Sequence, residues 1–461
     1  MTKRVPYTAP RLELITSRGM QKHRTVDISS ADSALDEIGD VKGLLREFGS
    51  PLFILSEKML RAQYRSFRDT FAAPGIDTVV AYSYKTNYLP AVCSILHQEG
   101  AWAEVVSGME YDLARSLGVP GGKIIFNGPY KRPEELARAI KEEALINVDG
   151  FDELDMLISA ARNLGIAART GLRINFQHGR QSWTKFGVNA DNGEALEALH
   201  RIKKAGKSLH FEALHNHSGT FQTNPEIYSR AAQVLIGVAR AARTMGLEPA
   251  IADFGGGYPS NNRLKPGFDV AGGSGSSGQF LAPFAEAIVG PLSKARKAFG
   301  ARPTMVLEPG RALVDAAFRL ACSVVARKNI AGQGEAVIVD AGVNLLPTAY
   351  WYDHRINAAS SRDMQEAAGA KPVAVFGPLC MQVDVLRERA VLPNLSLGSP
   401  LMISNVGAYC ITQSMQFIQP RPAVVLLGPR GVEEIRRRET RSDIFDMDRV
   451  PARLKAKGAK F

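Results

Sequence analysis

Short apolar runs alternate with longer amphipathic stretches from residue 51 to residue 307. The apolar runs lie at 51–55, 79–84, 103–106, 123–126, 145–148, 171–174, 211–215, 251–254 and 304–307. Helical periodicity covers 57–70, 108–117, 133–142, 152–164 and 225–245. Repeated units of this kind predict parallel strands joined by helical crossovers. About eight such units over about 250 residues are typical of a closed (β/α)8 barrel.

After residue 311 the pattern changes to short β-rich runs. These runs lie at 318–326, 336–339, 373–375, 401–404 and 423–427. They predict a separate β domain. The polar N-terminal region, with one helix predicted over 33–48, is expected to complete that domain. We therefore predict three parts: an N-terminal segment at 1–50 that contributes to the β domain, a barrel at 51–315 and a C-terminal β domain at 316–461.

Composition narrows the class of protein. The chain has 461 residues, of which 45% are hydrophobic and 22% charged, as expected for a globular protein with a large core. Four widely spaced cysteines form no zinc pattern, the charged N-terminus lacks an apolar signal region, and no run approaches the ~20 apolar residues of a membrane span. These features predict a cytoplasmic protein without a membrane partner.

The net charge of +11 indicates an anionic partner. Basic residues are dispersed, apart from 436–438 and the last few lysines, and no aromatic residues are interleaved with either cluster. Nucleic acid is therefore not predicted, whereas an anionic cofactor and an acidic substrate fit. The run GGSGSSG at 272–278 contains GxGxxG, but no apolar strand leads directly into it, so a dinucleotide site is not predicted.

Lys85 directly follows the apolar run at 79–84. A lysine at the end of an apolar strand is poorly solvated, which predicts a lowered pKa. A neutral amine of this kind attacks an aldehyde to form a Schiff base. The alternative is a lysine that extends from the strand end into solvent.

Other polar motifs follow three further apolar runs: HNHSGT at 215–220, DFGGGYP at 253–259 and EPGR at 308–311. The carboxyl ends of barrel strands form the active site in this fold, so these motifs are expected to meet Lys85. Their residue types suit an aromatic aldehyde that carries a phosphate. The glycines at 255–257 let backbone N–H groups approach phosphate oxygens, or they form only a tight turn.

His217 suits stacking on an aromatic ring. His215 and His217 could instead bind a metal from one strand face, but no third ligand is evident nearby and no metal is predicted. Glu308 suits a pyridinium nitrogen, whose proton it would retain, or it forms a salt bridge with Arg311.

Six motifs occur in one order along the chain: YSYKTN, HNHSGT, DFGGGYP, EPGR, GPLC at 377–380 and GAY at 407–409. In this order they resemble the fold-type III pyridoxal-phosphate decarboxylases and are most similar to the diaminopimelate decarboxylases. The similarity extends over about 50–445 and includes KFG at 185–187. It implies an alanine-racemase-like (β/α)8 barrel plus a C-terminal β domain, pyridoxal 5'-phosphate (PLP) as cofactor, and a head-to-tail homodimer with shared active sites.

Motif match implies the individual roles. Lys85 would bind the cofactor aldehyde, His217 would stack on its ring and Glu308 would face the ring nitrogen. The remaining cofactor contacts would come from Thr220, Gly255, Gly256, Gly257, Gly310, Arg311 and Tyr409. Cys380 of the partner subunit would donate a proton near the substrate Cα, unless Cys380 is a buried structural thiol. Substrate contacts would involve Arg311, Tyr350, Cys380, Met381 and Tyr409.

The resemblance implies decarboxylation of an amino acid, in the usual case within lysine biosynthesis. Two departures lie on the substrate side. Met381 stands where the family has a glutamate that recognises the distal amino group, and the run at 344–350 lacks the arginine that binds the distal carboxylate. His354, Arg355 or Arg362 could replace that contact.

Three functions therefore stay open besides diaminopimelate decarboxylation. The substrate could be a conjugated or carrier-attached amino acid. An alanine-racemase-like enzyme would share the barrel and the lysine, although GPLC and GAY favour the decarboxylases. A non-catalytic PLP-binding protein would keep Lys85 but needs no second domain.

Overall fold

The described chain begins with a helix, a strand and a second helix: α1 (Val41–Phe48), β1 (Leu52–Ser56) and α2 (Glu57–Thr70). The computed structural model describes residues 38–178, 185–265, 281–332, 334–359 and 370–458. The side chain of Ser56 caps α2 by accepting a hydrogen bond from Met59 N. The predicted bounds of α2 are confirmed. Of the helix predicted over 33–48, residues 33–37 lie outside the described residues.

Eight parallel strands of the described chain close into a barrel. They are β2 (Asp77–Ser83), β3 (Trp102–Val105), β4 (Ile124–Phe126), β5 (Leu145–Val148), β6 (Ala168–Asn175), β8 (Leu209–His215), β9 (Ile251–Asp253) and β10 (Thr304–Leu307); the two-residue strand β7 (Val188–Asn189) pairs only with β6. The ring closes because β2 pairs with both β3 and β10, while β5 pairs with β6. The predicted barrel is thus confirmed.

A small apolar layer fills the barrel interior. It contains Ala81, Ile125, Leu145, Ala213, Ile251 and Val306. These residues come from six different strands, so the barrel is a packed core and its chemistry lies at the strand ends.

Helices follow the barrel strands as crossovers. They are α3 (Pro90–Gln98), α4 (Gly108–Ser116), α5 (Pro133–Lys141), α6 (Phe151–Leu164), α7 (Glu194–Ala205), α8 (Glu226–Thr244), α9 (Ala282–Lys294) and α10 (Arg311–Val314). The sequence pattern assigns no helix to α3, α7 or α9. The reason is visible in two of them, because α3 is apolar almost throughout and α9 contains Pro291 in its interior.

A second sheet contains β11 (Phe318–Ile330), β12 (Gly334–Val339), β13 (Ile356–Ala358), β14 (Lys371–Phe376), β15 (Val385–Leu392), β16 (Pro400–Ser404), β17 (Ala423–Gly428) and β18 (Gly431–Arg436), followed by the short helix α11 (Arg441–Phe445). Strand β1 lies within it, antiparallel to β11 and parallel to β17. The sequence analysis placed β1 in the barrel range that starts at residue 51, and this placement is wrong. A short apolar run fits either sheet, and only the distant pairing partners decide. The remaining domain boundaries stay predictions.

Some predicted features lie outside the described residues, namely the GGSGSSG run at 272–278 and Arg362. Within the described residues, no helix combines the length and the apolar character that crossing a bilayer requires.

Candidate active site

Lys85 lies just past the end of β2, in a single 3₁₀ turn. Its ammonium donates hydrogen bonds of 2.9 and 2.7 Å to the two carboxylate oxygens of Glu104, and its side chain is 34% exposed. Glu104 is fully buried in β3, where it lies opposite Ser83 of β2. This pairing explains why a lysine and a glutamate so far apart in sequence meet.

The predicted lowering of the Lys85 pKa is wrong. Burial alone lowers the pKa, but the negative charges of Glu104 and Glu308 and the hydrogen bonds to Glu104 outweigh it, so the pKa lies above its usual value. The sequence pattern indicates that Lys85 lies at a poorly solvated strand end, but it does not reveal that Glu104 pairs with it.

Asn127 follows strand β4 and joins two buried carboxylates. Its Nδ2 donates hydrogen bonds to Glu104 Oε1 at 3.0 Å and to Glu308 Oε1 at 2.7 Å. Its Oδ1 accepts a hydrogen bond of 2.8 Å from Asn147 Nδ2. Glu104, which pairs with Lys85, and Glu308 therefore share the side-chain amide of Asn127.

Glu308 follows strand β10 and is 2% exposed. Burial alone raises its pKa, but the His215 imidazole, Lys85 and the Asn127 amide lower it below its usual value. Asp253 lies beside it, and burial together with the charge of Glu308 raises the Asp253 pKa far above its usual range. Glu308 is thus the ionised member of the pair, and Asp253 carries the proton.

His215, Asp253 and Glu308 together form a buried cluster whose ligand atoms lie within 4.8 Å of one another. His215 Nε2 lies 3.4 Å from Glu308 Oε2, and neither ring nitrogen of His215 makes a hydrogen bond within the described residues. The sequence analysis considered His215 together with His217 as metal ligands, whereas the structure groups His215 with two carboxylates and without His217. The carboxylate oxygens of this cluster also suit a different cation, namely the protonated nitrogen of a bound aromatic ring.

His217 follows strand β8 and packs against the glycine turn after β9. Its Nδ1 accepts a hydrogen bond of 3.0 Å from Gly256 N. Burial, with the positive charges of Arg173 and Lys85, keeps the His217 pKa well below its usual value. The imidazole is therefore neutral at physiological pH and suited to lie flat against an aromatic ring.

The glycine turn has no room for side chains. At each of Gly255, Gly256 and Gly257, an added Cβ would lie 2.4–2.6 Å from a backbone carbonyl oxygen. Gly255 and Gly257 also adopt φ of +61° and +94°, which L side chains rarely adopt. Gly310 packs against the Lys85 turn, since a Cβ there would meet Thr86 Oγ1 at 1.9 Å. Thr220 is exposed beside the turn. The glycines at 255–257 form a tight turn, and this turn is also compatible with phosphate binding.

Arg311, at the start of α10, is a buried cation with a spare donor. Its guanidinium carbon lies 4.7–5.5 Å from the ring centroids of Phe221, Tyr352 and Tyr409, and the side chain is 7% exposed. Its nearest carboxylate oxygen is on Asp315 at 3.8 Å, and Nη1 makes no hydrogen bond within the described residues. Glu308 pairs with Asn127 and His215 instead, so the predicted alternative of a Glu308–Arg311 ion pair is wrong. A buried, unsatisfied guanidinium donor suits a phosphate or carboxylate.

Cys380 and Met381 lie on the exposed loop between β14 and β15. The alternative of Cys380 as a buried structural thiol is therefore wrong. Asp384 stabilises this loop, because its carboxylate accepts hydrogen bonds of 2.8 Å from both Leu379 N and Val343 N. Tyr350 is also exposed. Within the described part of one chain, no hydrogen bond or ion pair links Cys380 or Met381 to Lys85.

His354 is buried in the β domain and hydrogen-bonded to Thr348 at 2.9 Å. Burial lowers its pKa to about 4, so it is neutral and enclosed. Of the three residues that could replace the carboxylate contact, His354 is therefore unsuited to it. Arg355 is exposed.

Sequence reasoning missed Glu104, Asn127 and Arg173 as site residues. Each is polar and lies at or just beyond the carboxyl end of a barrel strand, and that position is the signal that could have found them. Arg173 is buried and pairs with Asp149 at 3.2 Å.

The assembled residues fit PLP. Lys85 offers an amine, His217 a neutral ring face and Glu308 an ionised carboxylate. The glycine turn is a side-chain-free backbone segment, which suits an anion site, and Arg311 has an unused buried donor. Together these groups complement an aldehyde, a pyridine ring, its nitrogen and a phosphate.

Comparison with known proteins gives the same picture. Residues 57–315 match the family model "Pyridoxal-dependent decarboxylase, pyridoxal binding domain". A diaminopimelate decarboxylase from Methanothermobacter thermautotrophicus is 32% identical over 430 residues, which cover 90% of this chain and 95% of that protein. One from Methanocaldococcus jannaschii is 29% identical over 451 residues, which cover 93% and 98%. The crystal structure of diaminopimelate decarboxylase from M. jannaschii in co-complex with L-lysine superposes with a TM-score of 0.80, at 28% identity, over 90% of this chain and 96% of that one.

Proposed function

The chain belongs to the pyridoxal-dependent decarboxylases, and we propose that its substrate is an amino acid whose distal end differs from the charged end of meso-diaminopimelate. The enzyme is a PLP-dependent amino-acid decarboxylase of the group that includes the diaminopimelate decarboxylases. PLP supplies an electron sink for the electron pair that remains when the carboxyl group leaves as carbon dioxide.

The proposed roles follow from the contacts of each side chain. Lys85 binds the cofactor, and Glu104 holds its amine in place when a substrate amine replaces it. Glu308 is ionised and retains the proton on the ring nitrogen. His217 is neutral and covers one ring face.

The phosphate is proposed to bind beside the glycine turn, with the Gly257 N–H and the Thr220 hydroxyl as donors, because Gly255 N and Gly256 N already donate to Asp253 Oδ1 and His217 Nδ1. Arg311 and Tyr409 complete this end of the site, because the spare Nη1 donor of Arg311 needs an anion. The left-handed backbone of Tyr409, with φ of +65°, supports a functional position, since such strain persists mainly at sites that need it.

The proposed substrate preference rests on the loop that carries Cys380 and Met381. Asp384 ties this loop to the segment that begins at Val343, so the two segments that differ from the family lie together. Met381 is 41% exposed and offers no charge-assisted hydrogen bond to an ammonium group. A conjugated or carrier-attached amino acid has a less charged distal end and fits this surface better.

A homodimer with shared active sites accounts for the exposure of the loop that carries Cys380 and Met381. Large apolar side chains are exposed on the Cys380 loop and on neighbouring segments: Tyr350, Met381, Val383, Met415, Phe417 and Ile418. Met415 and Asn344 are joined through their backbones by a 2.9 Å hydrogen bond, so these segments are connected. Such a patch is typical of a protein interface. In this arrangement Cys380 of the partner subunit reaches the substrate and supplies the proton at Cα.

Decarboxylation of meso-diaminopimelate itself is the second candidate. Two relatives with that activity match nearly the whole chain at 29% and 32% identity, and the M. jannaschii enzyme binds L-lysine. Carbon dioxide release separates the candidates when purified holoenzyme is given meso-diaminopimelate, L-lysine, L-ornithine and amino acids acylated at the distal amine. We expect the highest kcat/KM with a distally acylated substrate, and no release by Lys85→Ala. The second candidate holds instead if meso-diaminopimelate gives the highest value.

A further inference from the structure

One amide group connects the two ends of the cofactor site. The two hydrogens of Asn127 Nδ2 are directed at two different carboxylates, Glu104 at 3.0 Å and Glu308 at 2.7 Å. Asn127 is 4% exposed and Glu104 is fully buried, so water does not replace these bonds. An asparagine amide has two N–H donors, and here both are used.

The two carboxylates need this shared donor. Each is buried, and like charges at short range repel strongly where water is excluded. Within the described residues, Glu104 forms an ion pair with the Lys85 ammonium at 2.7 Å. Glu308 has the His215 imidazole at 3.4 Å and the position proposed for the ring nitrogen. A change of charge at one carboxylate changes the polarisation of the amide, and the other carboxylate shares that amide.

The orientation of Asn127 is itself fixed. Its Oδ1 accepts from Asn147 Nδ2 at 2.8 Å, and Asn147 also lies 3.4 Å from Asp253 Oδ2. A flipped amide would place Oδ1 against two carboxylates, which is electrostatically unfavourable. The donor face of Asn127 therefore points to Glu104 and Glu308.

We propose that Asn127 is a positioning residue that couples the charge state at Lys85 to the charge state at the ring nitrogen, by sharing one amide between Glu104 and Glu308. This inference rests on the roles proposed above for Lys85 and Glu308. It assigns to Asn127 no contact with the substrate.

The test is a pH titration of the visible absorbance of the holoenzyme, combined with the PLP dissociation constant. In Asn127→Ala, Glu104 loses a donor and its negative charge holds a proton at the Lys85 nitrogen more strongly. We expect the titration midpoint to rise by about one unit or more, and the PLP dissociation constant to rise on the order of tenfold. Asn127→Ser keeps a single hydroxyl donor, which can serve only one of the two carboxylates, and should move the midpoint in the same direction, which covers the case in which the alanine variant folds poorly.

Two further measurements separate coupling from a general structural effect. Asn175→Ala removes another buried amide at the end of the next-but-one strand, where its Nδ2 donates to Phe186 O at 2.9 Å, and it should leave the midpoint unchanged. The shift caused by Asn127→Ala should also shrink to less than about a third when Glu104→Gln or Glu308→Gln is already present. An undiminished shift in both backgrounds, or an equal shift in Asn175→Ala, would overturn the proposal. A wild-type holoenzyme without a visible band would instead contradict the proposed function.

Discussion

Glu110 keeps its proton to a higher pH than an ordinary glutamate, and replacing it should change how stability depends on pH. The residue lies in the first turn of α4, 4% exposed, and its Oε2 accepts a hydrogen bond of 2.8 Å from Val106 N. Burial, with a further contribution from the charge of Glu104, raises the pKa of Glu110 from 4.5 to about 7. The Val106 hydrogen bond opposes this rise but does not cancel it.

The sign follows from proton binding. Between pH 4.5 and about 7, the folded chain keeps a proton on Glu110 that the unfolded chain has already lost. Stability from this group is therefore complete below pH 4.5 and decreases as the pH rises through about 7. Since one pKa unit corresponds to about 1.4 kcal/mol, the total loss is roughly 3 kcal/mol.

Glu110→Gln keeps the shape and the acceptor for Val106 N but cannot ionise. We expect the variant and the wild type to have similar free energies of unfolding at pH 4.5, and the variant to be more stable by roughly 3 kcal/mol at pH 8.5. Urea unfolding of both holoenzymes at a series of pH values measures this difference. Glu134→Gln removes a carboxylate that is 67% exposed and should differ from wild type by less than about 0.5 kcal/mol at every pH. A Glu110→Gln difference that does not grow with pH would refute the reasoning.

Three further predictions concern the site. Borohydride reduction of the holoenzyme should attach the pyridoxal group to Lys85, and mass spectrometry that finds the label on another lysine would contradict the assignment. Mixed Lys85→Ala and Cys380→Ala proteins should regain activity, because a mixed dimer contains one intact site; a monomer that is fully active at high dilution would exclude shared sites. Met381→Glu should increase kcat/KM for meso-diaminopimelate, because an unpaired buried ammonium costs on the order of a hundredfold; a wild-type kcat/KM above about 10⁴ M⁻¹s⁻¹ would show that Met381 is neutral.

Much of the barrel could be predicted because its strands are short, apolar and regularly spaced. The strands Leu145–Val148 and Thr304–Leu307 have the predicted bounds, and Lys85 and Glu308 both follow barrel strands as expected. The alternation of apolar runs and helices does not show which strands pair with one another. The apolar sequence of β1 is typical of a buried strand in either sheet. Its pairing with β11 and β17 depends on residues far along the chain.

The same limit applies to the electrostatics of the site. Sequence position shows that Lys85 is poorly solvated, which by itself lowers the pKa. The opposite result arises because Glu104, on the neighbouring strand, is in register with the end of β2. The position of Asn127 just beyond a barrel strand marks it as a possible site residue, but its two carboxylate contacts become visible only when three strand ends are brought together.

The placement of the two groups of residues explains how the cofactor side can match the family while the substrate side departs from it. The groups proposed to hold PLP come almost entirely from the carboxyl ends of barrel strands, where strand pairing fixes their positions. Cys380 and Met381 lie on a β-domain loop that Asp384 holds through backbone N–H groups, and these bonds do not depend on the side chains at 380 and 381. A substitution at Met381 can therefore change the contact with the distal end of the substrate without disturbing Glu104, Asn127 or Glu308. Loss of Asp384 should have a different effect, since it would leave the backbone N–H groups of Leu379 and Val343 unpaired, the first of them buried, and displace the whole loop.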